Sequence, residues 1–181
     1  KLTEKQAAEA VRRECDRQTA SVLSVEKQTK NVQPPRLYDL TTLQRECNRI
    51  YGYTAQQTLD YLQSLYEKKL ATYPRTDSQY LTEDMQATAT SLILWLRDNM
   101  PFGKGCLGEP DIDRVTDGSK VTDHHAIIPT VEIARTDLSV LPSGERDVLT
   151  LIAMRLLCAT GQTHRFEAVT AVLDCAGHPF T

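Results

Sequence analysis

Apolar residues recur at helical spacing in five stretches of the chain. This spacing predicts helices over residues 3–18, 41–51, 54–69, 82–99 and 143–160. Residues 20–32 and 165–175 have the looser alternation of strands. The last helix is apolar on nearly every face, so we expect it at the centre of the core. The fold class is therefore predicted to be α+β and predominantly α-helical.

Capping residues set the expected helix boundaries. Capping boxes are predicted at Thr3-x-x-Gln6, Thr41-x-x-Gln44 and Thr54-x-x-Gln57, and Thr82 is the expected N-cap of the fourth helix. Gly52 should end the second helix. The two short helices joined by Gly52 and Tyr53 resemble a helix-turn-helix unit. Residues 101–120 are rich in Gly, Pro and Asp and predict a long, mobile loop.

Composition narrows the class of protein. With 181 residues, of which 40% are hydrophobic and 25% charged, the chain is expected to be a globular protein that folds unaided. It has neither an apolar run of membrane length nor a signal-peptide pattern, so we expect a cytoplasmic location. Five scattered cysteines without a C-x-x-C pair predict free thiols. A net charge of −3 argues against binding nucleic acid by bulk charge alone, yet it leaves room for a local basic groove.

Three motifs carry little chemical information by themselves. The run from Gly103 to Gly108 fits G-x-G-x-x-G, but a helix precedes it and no helix begins on it, which argues against a nucleotide site. The pair Asp111-x-Asp113 lies in the same loop, where nothing holds both carboxylates rigidly. His124 and His125 should point to opposite sides of an extended segment, so we do not expect both on one metal ion.

The segment Thr72–Ser78 is the most informative in the chain. Pro74 keeps Tyr73 extended, which predicts that Tyr73 and Arg75 share a face. An arginine offers planar donors to phosphate oxygens, while a phenol can attack phosphorus and later leave again. Judged by residue types alone, a simple turn with a surface arginine is the commoner interpretation.

Longer runs around this segment resemble a known family. Residues 70–78, LATYPRTDS, resemble the active-site tyrosine motif of type IA DNA topoisomerases. Residues 121–130, VTDHHAIIPT, resemble a second motif of the topoisomerase III branch. The run 34–44 and the sequence that follows it to Lys68 look like the family's approach to its tyrosine. The resemblance covers nearly the whole chain and is weakest at 101–120.

The resemblance implies roles for particular residues. Tyr73 matches the nucleophile that forms a 5′-phosphotyrosyl link with single-stranded DNA. Arg75 matches the arginine that steadies the scissile phosphate, and His124 matches a histidine of the cleavage site. The candidate DNA-binding residues are Thr76, Ser78 and His125, and the first two are also candidates for positioning the loop.

The resemblance also implies a larger parent protein. The magnesium ligands of the family belong to an N-terminal Toprim domain that this chain lacks, so no cofactor is expected on the chain itself. Residues 1–33 and 161–181 match parts of the family's strand-rich arch domain, and residues 34–160 match its tyrosine domain. The parent would relax or decatenate DNA through a transient single-strand break, whereas this chain alone is expected to be inactive.

The expected partners are single-stranded DNA and the remaining domains of the parent, with no membrane. A nucleoid-associated place in the cytoplasm follows from this function. Besides Arg75, phosphate contacts are expected from some of a set of five basic residues, namely Arg36, Arg45, Arg49, Lys68 and Lys69. The alternative is a non-catalytic helix-turn-helix module that binds nucleic acid, in which the tyrosine loop is only a turn.

Overall fold

The computed structural model describes residues 3–105 and 108–181, and they form two compact units. The terminal unit contains the residues up to Val32 together with His164–Thr181, and the central unit is Gln33–Thr163. Within the described residues there are five α-helices and one three-stranded antiparallel sheet, which confirms the predicted α+β class. The elements in chain order are α1 Lys5–Cys15, β1 Ser21–Val32, α2 Leu40–Tyr51, α3 Ala55–Glu67, α4 Gln86–Asn99, α5 Ser143–Ala159, β2 His164–Cys175 and β3 His178–Phe180.

The sheet of the terminal unit is a long two-stranded ribbon with a short third strand. β1 pairs with β2 from Ser21 opposite Asp174 to Val32 opposite His164, with one irregularity near the start of β1. β3, which the sequence did not predict, pairs only with the last three residues of β2. The turn between β2 and β3 is tight, because its two residues both adopt the positive φ angles of a type I′ turn.

α5 lies at the centre of the core of the central unit, as predicted. Ten of its residues are buried, and it packs against both α3 and α4. A helix buried on most sides needs apolar residues all round, which explains why its sequence shows no single apolar stripe. Gly144 in its first turn lies so close to Tyr61 that a Cβ atom there would be 2.4 Å from the tyrosine ring.

The predicted ends of α2 and α3 are partly confirmed. Thr54 and Gln57 form the expected capping box of α3, and Gly52 ends α2 with a φ of 73°. The box predicted at Thr41 and Gln44 is wrong. Instead, Asp39 caps α2, because its carboxylate accepts a hydrogen bond from the Thr42 backbone N–H while the Thr42 hydroxyl accepts one from the Asp39 N–H.

The other two predicted caps also lack their side-chain bonds, although Thr82 does stand at the N-cap position of the turn that leads into α4. α1 begins at Lys5 after Glu4, and no side chain caps it, so the box expected at Thr3 does not form. A short 3-10 turn, Glu83–Met85, precedes α4, and the Thr82 side chain makes no capping bond.

The region predicted as a long loop contains only short turns within its described part. These are the 3-10 turns Pro101–Gly103, Asp113–Val115 and Gly118–Lys120. The G-x-G-x-x-G run includes residues 106 and 107, which lie outside the described residues. Gly103 packs against α4, since a Cβ there would be 2.4 Å from the Arg97 carbonyl oxygen. Among the described residues no helix is both long and apolar enough to span a membrane.

The end of α3 sets the direction of the chain that follows. Lys69 adopts a φ of 62°, its N–H bonds to the Tyr66 carbonyl, and the Leu70 N–H bonds to the Leu65 carbonyl. This pair of bonds is a Schellman motif, in which glycine usually occupies the left-handed position. Leu65 and Leu70 are both buried, which supplies the apolar contact that accompanies such a motif.

Replacing Lys69 with glycine should therefore stabilise the chain. Lys69→Gly relieves the left-handed strain of a residue with a Cβ, and we expect the free energy of unfolding to rise by about 1 kcal/mol in urea denaturation. Lys68→Gly is the matched control, because Lys68 has an ordinary helical φ and pairs with the buried Glu145. That control should destabilise the chain, and a loss of stability in both variants would contradict the prediction.

Candidate functional site

Two segments of the central unit are joined by backbone pairing. We name them the tyrosine loop, residues 70–80, and the histidine loop, residues 121–130. The Thr72 N–H donates to the Ile128 carbonyl at 3.0 Å, and the Thr130 N–H donates to the Leu70 carbonyl at 3.0 Å. The Thr72 hydroxyl accepts from the Ile128 N–H at 3.0 Å and donates to the Ala126 carbonyl at 3.2 Å. The hydroxyl thus fixes the spacing of the two loops just before Tyr73.

The hydroxyls of Thr76 and Ser78 extend this bonding on the other side of Tyr73. Thr76 donates to the His124 carbonyl at 2.8 Å and accepts from the Ser78 N–H at 3.1 Å. Ser78 donates to the Lys120 carbonyl at 2.9 Å. The Thr76 carbonyl in turn accepts from the Leu40 N–H in the first turn of α2. The tyrosine loop is therefore tied to the histidine loop, to the residue before it and to the start of a helix.

The Tyr73 ring is held by two aromatic neighbours. Its centroid is 4.1 Å from that of the His124 ring, with the two planes tilted by 33°. The Tyr66 ring meets Tyr73 edge-on at 5.6 Å. Within the described part of the chain, no hydrogen bond engages the Tyr73 hydroxyl. The ring is thus positioned by contacts that leave its oxygen available for chemistry.

Arg75 and His124 line one open cavity of about 470 Å³. The Arg75 side chain is exposed, and among the described residues no carboxylate pairs with it. Its guanidinium can therefore offer two parallel donors to an anion in the cavity. The other lining residues are Asp39, Leu40, Thr41, Thr76, Asp77, Thr122 and Asp123.

The sequence prediction missed the contribution of α2 to this cavity. The helix begins at Leu40 after its cap Asp39, whereas the sequence predicts a capping box that starts two residues later. The cavity is lined at this end by Asp39, Leu40 and Thr41. An aspartate three residues before a threonine and directly before an apolar-periodic run is a capping signal that could have located this start. The first turn of α2 therefore lies at the cavity.

The six candidate site residues fall into two groups. Tyr73, Arg75 and His124 come together, since His124 contacts the Tyr73 ring and shares the cavity with Arg75. Thr76 and Ser78 are only 7% and 5% exposed, and their hydroxyls serve the bonds between the loops. The His125 Nδ1 atom lies 2.8 Å from the Ala126 carbonyl oxygen, so this ring is turned towards its own backbone.

Some of the other basic residues that are predicted to contact DNA already pair with acidic residues of this chain. Lys68 pairs with the buried carboxylate of Glu145, which also accepts from Ser64. Arg49 pairs with Glu46 at 3.2 Å. Of the five basic residues considered, these two already have acidic partners, which reduces the charge that they can offer to a phosphate.

The described residues do not fit a magnesium site. Among residues 3–105 and 108–181, no group of three or more His, Cys, Asp and Glu side chains could hold a metal ion. In the cavity, the Asp39 carboxylate is taken up by the helix cap and by Gln79. In the long loop, Asp111 pairs with Arg114, while Asp113 accepts from Gln86.

Comparison with known proteins gives consistent results. A family model described as DNA topoisomerase matches residues 1–181. A DNA topoisomerase 3 of Bacillus cereus is 36% identical over 171 residues, covering 92% of this chain and 23% of that protein. A DNA topoisomerase 3 of Staphylococcus haemolyticus is 39% identical over 165 residues, covering 88% and 23%. The chain thus spans about a quarter of the length of these relatives.

A solved structure shows the same fold. It is full-length topoisomerase I from Thermotoga maritima, which aligns with 99% of this chain and 29% of its own at a TM-score of 0.69 and 22% identity. The resemblance of the chain to type IA DNA topoisomerases of the topoisomerase III branch is thereby confirmed. This chain belongs to the DNA topoisomerase family.

Proposed function

We propose that this chain is the tyrosine-bearing part of a topoisomerase III that cleaves and rejoins single-stranded DNA. The observation that carries the proposal is the contact of the Tyr73 ring with His124, which in turn shares a cavity with the exposed Arg75. A nucleophile, a permanent cation and a second donor side chain are the groups needed to attack a phosphodiester and stabilise its charge.

The reaction exchanges one phosphate ester for another. The Tyr73 oxygen attacks the phosphorus atom and loses its proton, the bond from phosphorus to the 3′ oxygen breaks, and that oxygen takes up a proton. The DNA 5′ end is then linked to the tyrosine. The reverse attack by the 3′ hydroxyl restores the strand and frees Tyr73, so breaking and rejoining the strand need no external energy source.

Arg75 and His124 have separate roles in this proposal. The Arg75 guanidinium binds the non-bridging phosphate oxygens, because the planar fork of its donors matches their geometry. His124 holds the Tyr73 ring and presents an imidazole towards the same phosphate. We infer that Thr76 and Ser78 act by fixing the loops, and their contact with DNA, like that of His125, stays a prediction.

The division into two units supports a domain assignment. We propose that the central unit is the tyrosine domain and that the terminal unit supplies strands of the arch domain. The remaining domains of the parent would then be the partners of this chain, with the magnesium ligands on the Toprim domain. We further propose that the parent works in the cytoplasm at the nucleoid.

The charge around the cavity indicates that this chain needs the remaining domains of its parent to bind DNA tightly. Asp77 and Asp123 lie on its wall beside Arg75 and His124, and the net charge of the chain is −3. The affinity of a protein for DNA phosphates depends on how many of its cationic side chains displace counterions from the DNA. We therefore expect the isolated chain to bind single-stranded DNA weakly and to leave it uncleaved.

Removing the Tyr73 hydroxyl tests the proposed chemistry. The chain is mixed with the separately expressed Toprim portion of its parent, Mg²⁺ and end-labelled single-stranded DNA, and protein-linked label is measured after denaturation. The unsubstituted chain should give a covalent adduct, and Tyr73→Phe should give none, because only the hydroxyl can form the ester. The phenyl ring keeps the aromatic contacts, so the thermal unfolding midpoint should change little.

Tyr61→Phe is the matched control, since Tyr61 packs against Gly144 away from the cavity. It should form the adduct at an unchanged rate. An adduct that persists in Tyr73→Phe would overturn the proposal. Absence of any adduct with both portions folded and associated would favour the non-catalytic helix-turn-helix module.

The loop hydroxyls provide a second test. Thr76→Val removes the bond to the His124 carbonyl and leaves buried polar groups unsatisfied, so unfolding should become easier by about 1–2 kcal/mol. Because the His124 ring contacts Tyr73, we also expect adduct formation to slow by roughly tenfold or more. Urea denaturation and the time course of adduct formation measure the two effects.

Thr88→Val, at an exposed position of α4, is the control for the valine substitution. It should change neither quantity by a comparable amount. If Thr76→Val loses stability but cleaves at the normal rate, the loops do not position the reacting groups.

A further inference from the structure

Two cysteines from distant parts of the sequence meet in the terminal unit. Cys15 is the last residue of α1, and Cys175 is the last residue of β2. The Cys15 thiol donates to the Cys175 carbonyl at 3.3 Å, while the Cys175 sulfur lies 3.9 Å from the Cys15 carbonyl. The two side chains therefore cross each other, each against the backbone of the other residue.

The surrounding contacts hold this arrangement in place. Cys175 and His178 face each other across the tight turn formed by Ala176 and Gly177, whose φ angles are 52° and 83°. The Glu14 carboxylate lies 2.6 Å from the His178 Nε2 atom. The last two residues of α1 thus contact the two residues that flank the turn, so the thiols are presented by two fixed elements.

We propose that Cys15 and Cys175 are a redox-modified pair that low-molecular-weight disulfides, such as oxidised glutathione, convert to an intrachain disulfide. One protein thiolate attacks oxidised glutathione and releases one glutathione thiolate. The second protein thiolate then attacks the mixed disulfide, forming the protein S–S bond and releasing the second glutathione. In total, the protein thiols lose two electrons and two protons. The two molecules of reduced glutathione that form take up these electrons and protons.

The environment of Cys15 sets the resting state. Partial burial is the main cause that raises the pKa of Cys15. The neighbouring Cys175 thiol and the nearby Glu14 and Asp174 carboxylates raise this pKa further. Cys15 therefore rests as a thiol at neutral pH, which slows its reaction with a disulfide, and the two electrons lost on crosslinking go to the added oxidant. Because the bond would join residues 15 and 175, it would close a loop containing the whole central unit and restrict the unfolded chain.

Peptide mapping tests the crosslink directly. The 181-residue chain is incubated with oxidised glutathione, remaining thiols are blocked with iodoacetamide, and the product is digested with trypsin without reduction. We expect residues 14–17 linked to residues 166–181, and we expect dithiothreitol to separate them. The thermal unfolding midpoint of the oxidised chain should rise by about 4 °C or more, and the same reductant should reverse the rise.

Serine variants separate this pair from the other cysteines. Cys15→Ser should abolish both the linked peptide and the rise in midpoint, and Cys175→Ser should do the same. Cys158→Ser, in α5 of the central unit, is the control and should retain both effects. If Cys175→Ser fails to fold because Cys175 is buried, Cys15→Ser alone decides the point.

Other products would overturn the proposal. A stable glutathione adduct on Cys15 without the linked peptide would show that the second thiol does not complete the exchange. Linked peptides that carry Cys47, Cys106 or Cys158 as the main product would show that the pair is not preferred. The oxidation is also carried out in about 8 M urea, which unfolds most domains. If the yield of the linked peptide is as high there as in the folded chain, the fold does not create the pair.

Discussion

The pairing of the tyrosine loop with the histidine loop is the constraint on which the candidate site depends. Neither loop is helix or sheet, so its backbone groups need partners elsewhere, and a buried unpaired group is costly. Thr72 and Thr76 supply such partners on either side of Tyr73. Because each hydroxyl bonds to the histidine loop, the position of His124 relative to Tyr73 follows from backbone chemistry as much as from the aromatic contact.

The helices around the loops fix where this pair lies. A Schellman motif at the end of α3 turns the chain into the tyrosine loop, and the first turn of α2 receives the Thr76 carbonyl. Arg75 is left exposed on a cavity wall that also carries Asp77 and Asp123. A wall of mixed charge binds an anion more weakly than a wholly basic one, which agrees with the proposal that other domains contribute to this site.

The terminal unit differs from the central unit in how exposed its secondary structure is. Its β1–β2 ribbon is exposed along most of its length, and large apolar residues such as Leu23 and Val169 remain at its surface. The contacts of α1 with the turn after β2 join parts of the chain about 160 residues apart. Local sequence contains no sign of such a contact, because neither cysteine lies in a recognisable spacing.

The sequence alone determined the α+β class, the place of α5 in the core and the capping of α3 by Thr54, because these depend on local periodicity and on bonds within one turn. It also singled out Tyr73, Arg75 and His124 through their motifs. Only the tertiary structure decided that the first turn of α2 lies at the cavity and that Thr76 bonds to the histidine loop. These depend on which backbone groups face each other across a long sequence separation, and no local pattern encodes that geometry.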